Sequence, residues 1–269
     1  MKMFWRARAL AALIAYALAI LLLAFPHLYV ILAICRVRGI APRERRDRVA
    51  HWQSFWGVAG YRLCKVFGGV RGRFVVEDHP YLAGNGPFIV IANHYGAFDG
   101  PLVAALLKTI GRHDFRPVAK REVGALPVVG RAWRELGVAF LARDHRKADV
   151  DAVTALAERA AEDQASILIF PEGTVFDPAK LCAPFTRILP PRGGGFRRLV
   201  QKLPGYHVLS VTIHWHDFAP GKLTVEGAIP PGHVVTVSAR VLEPPDVEDT
   251  DRLLIDEWRD KEKRLRGDP

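Results

Sequence analysis

From Ala9 to Ile34 the chain carries no Asp, Glu, Lys or Arg. These 26 residues, at 1.5 Å rise each, make roughly 39 Å of helix, enough for the core of a bilayer. The run is too long for the apolar region of a secretory signal, and no small-x-small cleavage site precedes the basic stretch after it, so it reads as a retained membrane anchor. Pro26-His27 interrupts it, which leaves two forms open: one kinked span, or two short helices that dip into a leaflet and return. Lys2, Arg6 and Arg8 precede the run; Arg36, Arg38, Arg43, Arg45, Arg46 and Arg48 follow it. Positive charge on both flanks favours a re-entrant anchor, with the remainder of the chain facing the cytoplasm under either topology.

Residues 43–67 follow helical periodicity, with Val49, Trp52, Phe55, Trp56, Ala59 and Leu63 set against an arginine-rich face. Such a helix either packs into the core or lies at a membrane interface, and the sequence leaves both open. With 38 Lys+Arg against 28 Asp+Glu the net charge is +10, which calls for an anionic partner, nucleic acid or acidic lipid. Beside an anchor, acidic headgroups are the expected partner. Cys35, Cys64 and Cys182 are odd in number and far apart, so neither a disulfide framework nor a thiolate metal site is expected.

Beyond Gly69 the pattern changes. Short strand-like runs at 74–76, 88–91, 115–119, 138–141 and 166–170 alternate with helix-like stretches at 99–110, 127–136 and 147–163. That alternation predicts an α/β layered domain with flanking helices. Further strands are expected at 208–214, 222–226 and 234–241, followed by a closing helix capped by Thr250 or Asp251, with Leu254, Trp258 and Leu265 on one face. The chain thus divides into 1–68, anchor and amphipathic helix, and 69–269, a catalytic domain.

Four places at the carboxyl ends of these strands, where open α/β sheets bind ligands, carry candidate chemistry. The apolar run Phe88–Ala92 breaks into a loop holding His94 and, five residues on, Asp99. An imidazole can take a proton from a hydroxyl near neutral pH if a carboxylate holds its tautomer. The run Gly137–Arg143 ends on an arginine suited to phosphate. Phe170–Thr174 runs into a Pro-Glu-Gly turn whose backbone N–H groups and hydroxyl suit an anion. Pro190–Phe196 holds Arg192 and three glycines before a helix-like segment. Singly, each has an ordinary reading as loop polar, surface charge or bend. Together they place one acid-base pair among several anion-binding elements.

These blocks resemble the membrane glycerolipid acyltransferases, which acylate lysophosphatidic acid and related lysophospholipids. The resemblance covers roughly residues 70–215, with the blocks in family order. Asn93-His94 with Asp99 matches Asn-His-x4-Asp; Val118–Lys120 to Pro127–Gly130 resembles the lysine-bearing segment; Gly137–Arg143 and Phe170–Thr174 match the next two blocks. Most members continue with an arginine where Val175 stands. The Arg192 loop and the closing Trp258-x-x-Lys261-Glu262 helix look like the branch containing the lysocardiolipin acyltransferases, whose members also lack that arginine.

The resemblance implies a mixed α/β sheet of the glycerolipid acyltransferase fold, preceded by the membrane-anchoring helical segment, and an O-acyltransferase of 1-acylglycerol-3-phosphate type. It implies transfer from acyl-CoA or acyl-carrier protein to a lysophospholipid hydroxyl, with His94 as general base and Asp99 orienting it. Arg143, Glu172, Gly173, Thr174, Arg192 and Lys120 would position the acceptor phosphate. No cofactor, no metal and no nucleic acid is expected in that reaction. Two rivals remain at this level: a metal-dependent hydrolase using His214 and His216 with His94, and a non-enzymatic, membrane-tethered basic binding protein, which accounts for the charge but leaves the motif blocks unexplained.

Overall fold

In the computed structural model, which describes residues 2–142, 146–216 and 232–267, the charge-free segment forms α1 (Lys2–Ala19), a π-helical turn (Ile20–Ala24) and α2 (Phe25–Val37). They join into one run, Met3–Val37, long and apolar enough to cross a membrane. Pro26 lies in the first turn of α2, where the preceding π-turn has already shifted the hydrogen-bond register, so its missing N–H breaks no regular ladder. Of the two forms left open at Pro26, the single continuous run is the one observed: the chain runs on through the proline and reverses only after Arg38. Gly39, at φ +61°, makes that turn, and α3 (Pro42–Gly68) begins with proline in its first turn.

Helix α3 returns antiparallel along the whole length of the first run. Arg8 donates to the carbonyls of Val66 and Phe67, and Trp52 Nε1 donates to Ala24 O at 3.2 Å. Two glycines set how close the helices come. A Cβ on Gly60 would stand 2.7 Å from Tyr16, and one on Gly57 2.6 Å from Ala104 Cβ of the next helix. Of the amphipathic set, Val49 and Trp52 are buried, whereas Phe55 is 58% exposed; α3 thus serves as core on one face and as surface on another. Leu10, Ile14, Leu21, Val30 and Ile34 form the exposed apolar side of the first run.

Among the described residues the strands are β1 (Arg71–Val76), β2 (Phe88–Ala92), β3 (Phe115–Pro117), β4 (Ala119–Lys120), β5 (Phe140–Leu141), β6 (Ser166–Ile169), β7 (His207–Trp215) and β8 (Val234–Leu242). Six form one sheet in the order β1-β8-β7-β2-β6-β3, parallel except for the β7–β8 pair. The other two, β4 and β5, pair parallel in a small second sheet. The expected strand 115–119 is split because Val118 N still bonds Leu168 O while Ala119 N bonds Ala139 O; the chain changes sheets at Val118. The expected strand 222–226 lies outside the described residues.

The helices are α4 (Asp99–Thr109), α5 (Arg121–Gly124), α6 (Val129–Leu136), α7 (Arg146–Asp163), α8 (Gly193–Lys202) and α9 (Thr250–Arg266). One group packs around α3, with α1, α2, α4 and α6; another joins α7, α8 and α9. Every residue of β2 is buried, as its unbroken apolar run requires at the centre of a covered parallel sheet. The main core also takes in Ala12 of α1 and Cys64 of α3. The cap expected at Thr250 or Asp251 is corrected: both lie inside α9, after Asp249, because the Thr250 hydroxyl donates back to Asp246 O and Asp251 turns to Arg197.

Candidate active site

At the carboxyl end of β2 the Asn93 side chain continues the ladder that the backbone leaves. Its Nδ2 donates to Ile213 O at 3.0 Å and its Oδ1 accepts from Ile213 N at 2.8 Å, fixing the strand end to β7. The chain then turns sharply. Asp99, the first residue of α4 and 1% exposed, accepts through Oδ2 from Tyr95 N at 2.6 Å, from Gly96 N at 2.8 Å, and from His94 Nδ1 at 2.8 Å.

A carboxylate oxygen can only accept, so His94 holds its proton on Nδ1 and leaves Nε2 with a lone pair. Phe170 stacks on the imidazole, with ring centroids 4.1 Å apart and 21° between planes. The His94 side chain retains 21% exposure. A base of fixed tautomer, backed by a buried carboxylate and open on one side, can deprotonate a hydroxyl brought to it.

Glu172 differs from its expected role. Its carboxylate turns inward, 2% exposed, and Oε1 accepts from His94 N at 3.1 Å. It braces the histidine backbone instead of facing an acceptor, and a buried acid has no attraction for phosphate. Burial pushes its carboxyl well above the ordinary range, against the hydrogen bond from His94 N–H, which acts the other way. On the other side Phe176 N donates to His94 O at 2.7 Å. The turn closes through Gly173 N to Phe170 O, 2.9 Å, with Gly173 at φ +69°. Arg192 N donates to Pro171 O at 2.8 Å, and its side chain runs over Gly173, where a Cβ would meet Arg192 Cδ at 3.5 Å. The third and fourth blocks therefore form one surface beside His94, with Arg192 exposed and Thr174 half-buried.

Residues to which the sequence assigns no role at the site hold this surface from behind. Tyr95 donates its hydroxyl to Arg187 O at 2.8 Å. Trp258 Nε1 donates to Leu189 O at 3.0 Å. Glu262 accepts from Thr186 N at 2.8 Å, from the Thr186 hydroxyl at 2.7 Å, from Arg187 N at 3.0 Å and from Ile188 N at 3.2 Å. Burial works against the charge of Glu262, but the bonds from Thr186 and Arg187 outweigh it and hold its carboxyl below the ordinary range. Lys261, fully buried, donates to Val211 O, and burial lowers its ammonium to about 7. The spacing of Trp258 and Glu262, four apart on one face of a charged helix, was the available signal.

Lys120 is exposed at the end of β4 and pairs with Leu141 of β5 in the small second sheet. Arg143 lies outside the described residues. His214 and His216 stack, with ring centroids 4.2 Å apart, and His216 Nε2 lies 2.9 Å from Thr236 Oγ1. Among the described residues no third His, Cys, Asp or Glu joins them at metal-ligand spacing, and His94 turns its Nδ1 to Asp99. The hydrolase alternative therefore has no site assembled among the described residues.

Residues 73–214 match the acyltransferase family. An uncharacterized acyltransferase of Schizosaccharomyces pombe is 25% identical over 165 residues, which make up 60% of this chain and 56% of that protein. The chain therefore spans little more than half the length of this curated relative. The crystal structure of the 1-acyl-sn-glycerophosphate (LPA) acyltransferase PlsC from Thermotoga maritima superposes with a TM-score of 0.59 at 19% identity, covering 91% of this chain and 95% of that one. The likeness establishes a common fold.

Proposed function

The chain belongs to the acyltransferase family, and we propose that it moves an acyl group from a thioester donor, acyl-CoA or acyl-carrier protein, to the free hydroxyl of lysophosphatidic acid or another lysophospholipid. The observation that carries this reading is the His94–Asp99 pair, with Nδ1 tied at 2.8 Å and Nε2 left to act as base. Nε2 takes the hydroxyl proton as the oxygen attacks the thioester carbonyl carbon. The tetrahedral intermediate collapses, the C–S bond breaks, and the imidazolium returns its proton to the leaving thiolate. The nucleophile is the substrate itself, so no acyl-enzyme forms.

Arg192, lying over Gly173, supplies positive charge beside the Pro-Glu-Gly turn, where Val175 offers none. With Lys120, Arg143 and Thr174 it holds the acceptor phosphate; a phosphate-bearing acceptor fits the 1-acylglycerol-3-phosphate type. The exposed apolar side of the Met3–Val37 helix runs along the domain instead of away from it, which supports attachment in the plane of one leaflet, the catalytic face on the cytoplasmic side.

The test is to incubate detergent-solubilised protein with acyl-CoA and a panel of lysophospholipids, following thiol release together with lipid mass. Acceptor-dependent release with a matching diacyl product is expected. General-base catalysis contributes about 10²- to 10⁴-fold, so folded His94→Ala loses at least about 100-fold in kcat; near-normal turnover by that variant sinks the mechanism.

A further inference from the structure

At the opposite, amino-terminal edge of the sheet, an imidazole of α3 meets one from the turn after α4. His113, in the turn between α4 and β3, stacks on His51 of α3 with ring centroids 3.6 Å apart and 30° between planes. Asp47, one helical turn before His51, reaches both: Oδ1 lies 3.1 Å from His113 Nε2, and Oδ2 lies 3.5 Å from His51 Nδ1. The three potential ligand atoms all lie within 4.8 Å of one another.

We propose that Asp47, His51 and His113 bind a divalent transition metal ion of the zinc class, which fastens the α3 hairpin to the turn after α4. Nothing in the acyl-transfer chemistry uses these residues. Two imidazoles and one carboxylate are a donor set that zinc accepts, with a water in the remaining position; calcium and magnesium prefer oxygen alone. Zinc bonds to nitrogen and oxygen are about 2.0–2.1 Å, which puts tetrahedral ligand atoms roughly 3.3 Å apart. Each imidazole already lies within about 0.3 Å of that spacing from one Asp47 oxygen, 3.1 Å from Oδ1 for His113 and 3.5 Å from Oδ2 for His51, and a small carboxylate rotation brings a single oxygen to both.

The surroundings permit a cation. Arg43 and Arg116 line the same cavity as Asp47, but Arg116 and Arg46 both pair with Asp163 and Arg48 with Glu44, while Glu44 and Asp114 add negative charge to that cavity. The side chains of Asp47, His51 and His113 are 53%, 57% and 34% exposed, so an ion enters directly from water. His51 Nδ1 also lies 3.0 Å from Asp47 O; binding moves the ring proton to Nε2.

The experiment uses the full chain with any purification tag removed, in a Cys182→Ser background because that exposed thiol competes for zinc. Protein stripped with chelator is titrated with zinc chloride by calorimetry. One zinc per chain is expected, with a dissociation constant of about 1 µM or tighter, weakened at least about tenfold by His51→Ala or by His113→Ala, and with zinc raising the melting temperature only where the site is intact. His113→Gln, similar in size, serves if alanine disturbs the turn. Absence of stoichiometric binding, or variants that bind zinc as tightly as the parent, overturns the site.

Discussion

Glu262 is the residue whose replacement most directly separates support from chemistry. It touches no reacting atom, yet it accepts from three consecutive backbone N–H groups, those of Thr186, Arg187 and Ile188. In Glu262→Gln one oxygen becomes an NH2. The cheaper orientation places that NH2 at the Oε2 position, where Arg187 N retains Oε1 at 3.1 Å but buried Ile188 N loses its acceptor. One orphaned buried donor costs about 1–3 kcal/mol, and the loss of charge assistance in the remaining bonds brings the total to about 2–4 kcal/mol. A chain of this size shifts roughly 2–4 °C per kcal/mol, so the melting temperature should fall by about 4–16 °C.

The pH dependence of that deficit has a definite sign. Glu262 titrates below the ordinary carboxyl range in the folded protein, so its stabilisation is present above the unfolded value, near about 4.3, and is lost as pH falls through the lower folded value. The deficit of the variant is therefore full at pH 7 and shrinks in acid. Because the clamped segment leads to Arg192, the acceptor KM should rise several-fold while kcat falls little. Thermal melts across pH and steady-state kinetics read both quantities. A melting point at pH 7 within about 2 °C of the parent would refute the clamp.

Glu172 gives the opposite pH signature: its folded carboxyl titrates above the ordinary value, so the group favours the fold at low pH and that contribution is lost as pH rises through the raised value. Glu172→Gln should melt at or above the parent at pH 8–9 and lose that advantage near about pH 5; a variant that is less stable at the alkaline end contradicts the assignment. Arg192→Ala should raise the KM for a phosphate-bearing acceptor by about 10- to 100-fold, the value of a charge-assisted contact, with little change in the KM of the thioester; equal changes in both argue against a phosphate handle. Gly57→Val forces a side chain into Ala104, 2.6 Å from the Cβ position, and should destabilise by about 1–3 kcal/mol; a neutral melt shows that α3 and α4 can move apart freely.

The sequence was most informative where local pattern and burial coincide. Phe88–Ala92 is apolar throughout because it lies between β6 and β7 with both faces covered, and the loop after it had to carry whatever the strand end offers. The blocks at Phe170 and Arg192 were legible as turns, but not their mutual contact across Gly173. Glu172 illustrates the limit: an acid in a turn reads as exposed, and only the return of that turn beneath His94, 78 residues away in sequence, buries it. The reversal after Arg38 was hidden for a related reason. Proline marks a break in an isolated helix, but α3 lies alongside the first run and the π-turn absorbs the missing hydrogen bond. The clamp by Tyr95, Trp258 and Glu262 joins segments separated by as many as 92 residues, beyond the reach of any local period.

Ala12 and Cys64 share one apolar cluster with β2, and Leu28 lies in another with Val49, Trp52 and Leu136. The hairpin that carries the exposed apolar side is thus also a wall of the protein interior. A soluble form cannot be made by cutting the chain after α2, since that strips the wall and leaves Cys64 and Trp52 uncovered. It can be made by repainting: polar residues at Leu10, Ile14, Leu21, Val30 and Ile34, each at least 40% exposed, change the outward side of the helix and leave its inward side in place. The exposed apolar side and the packing that holds the fold lie on opposite faces of the same helix, and can be edited independently.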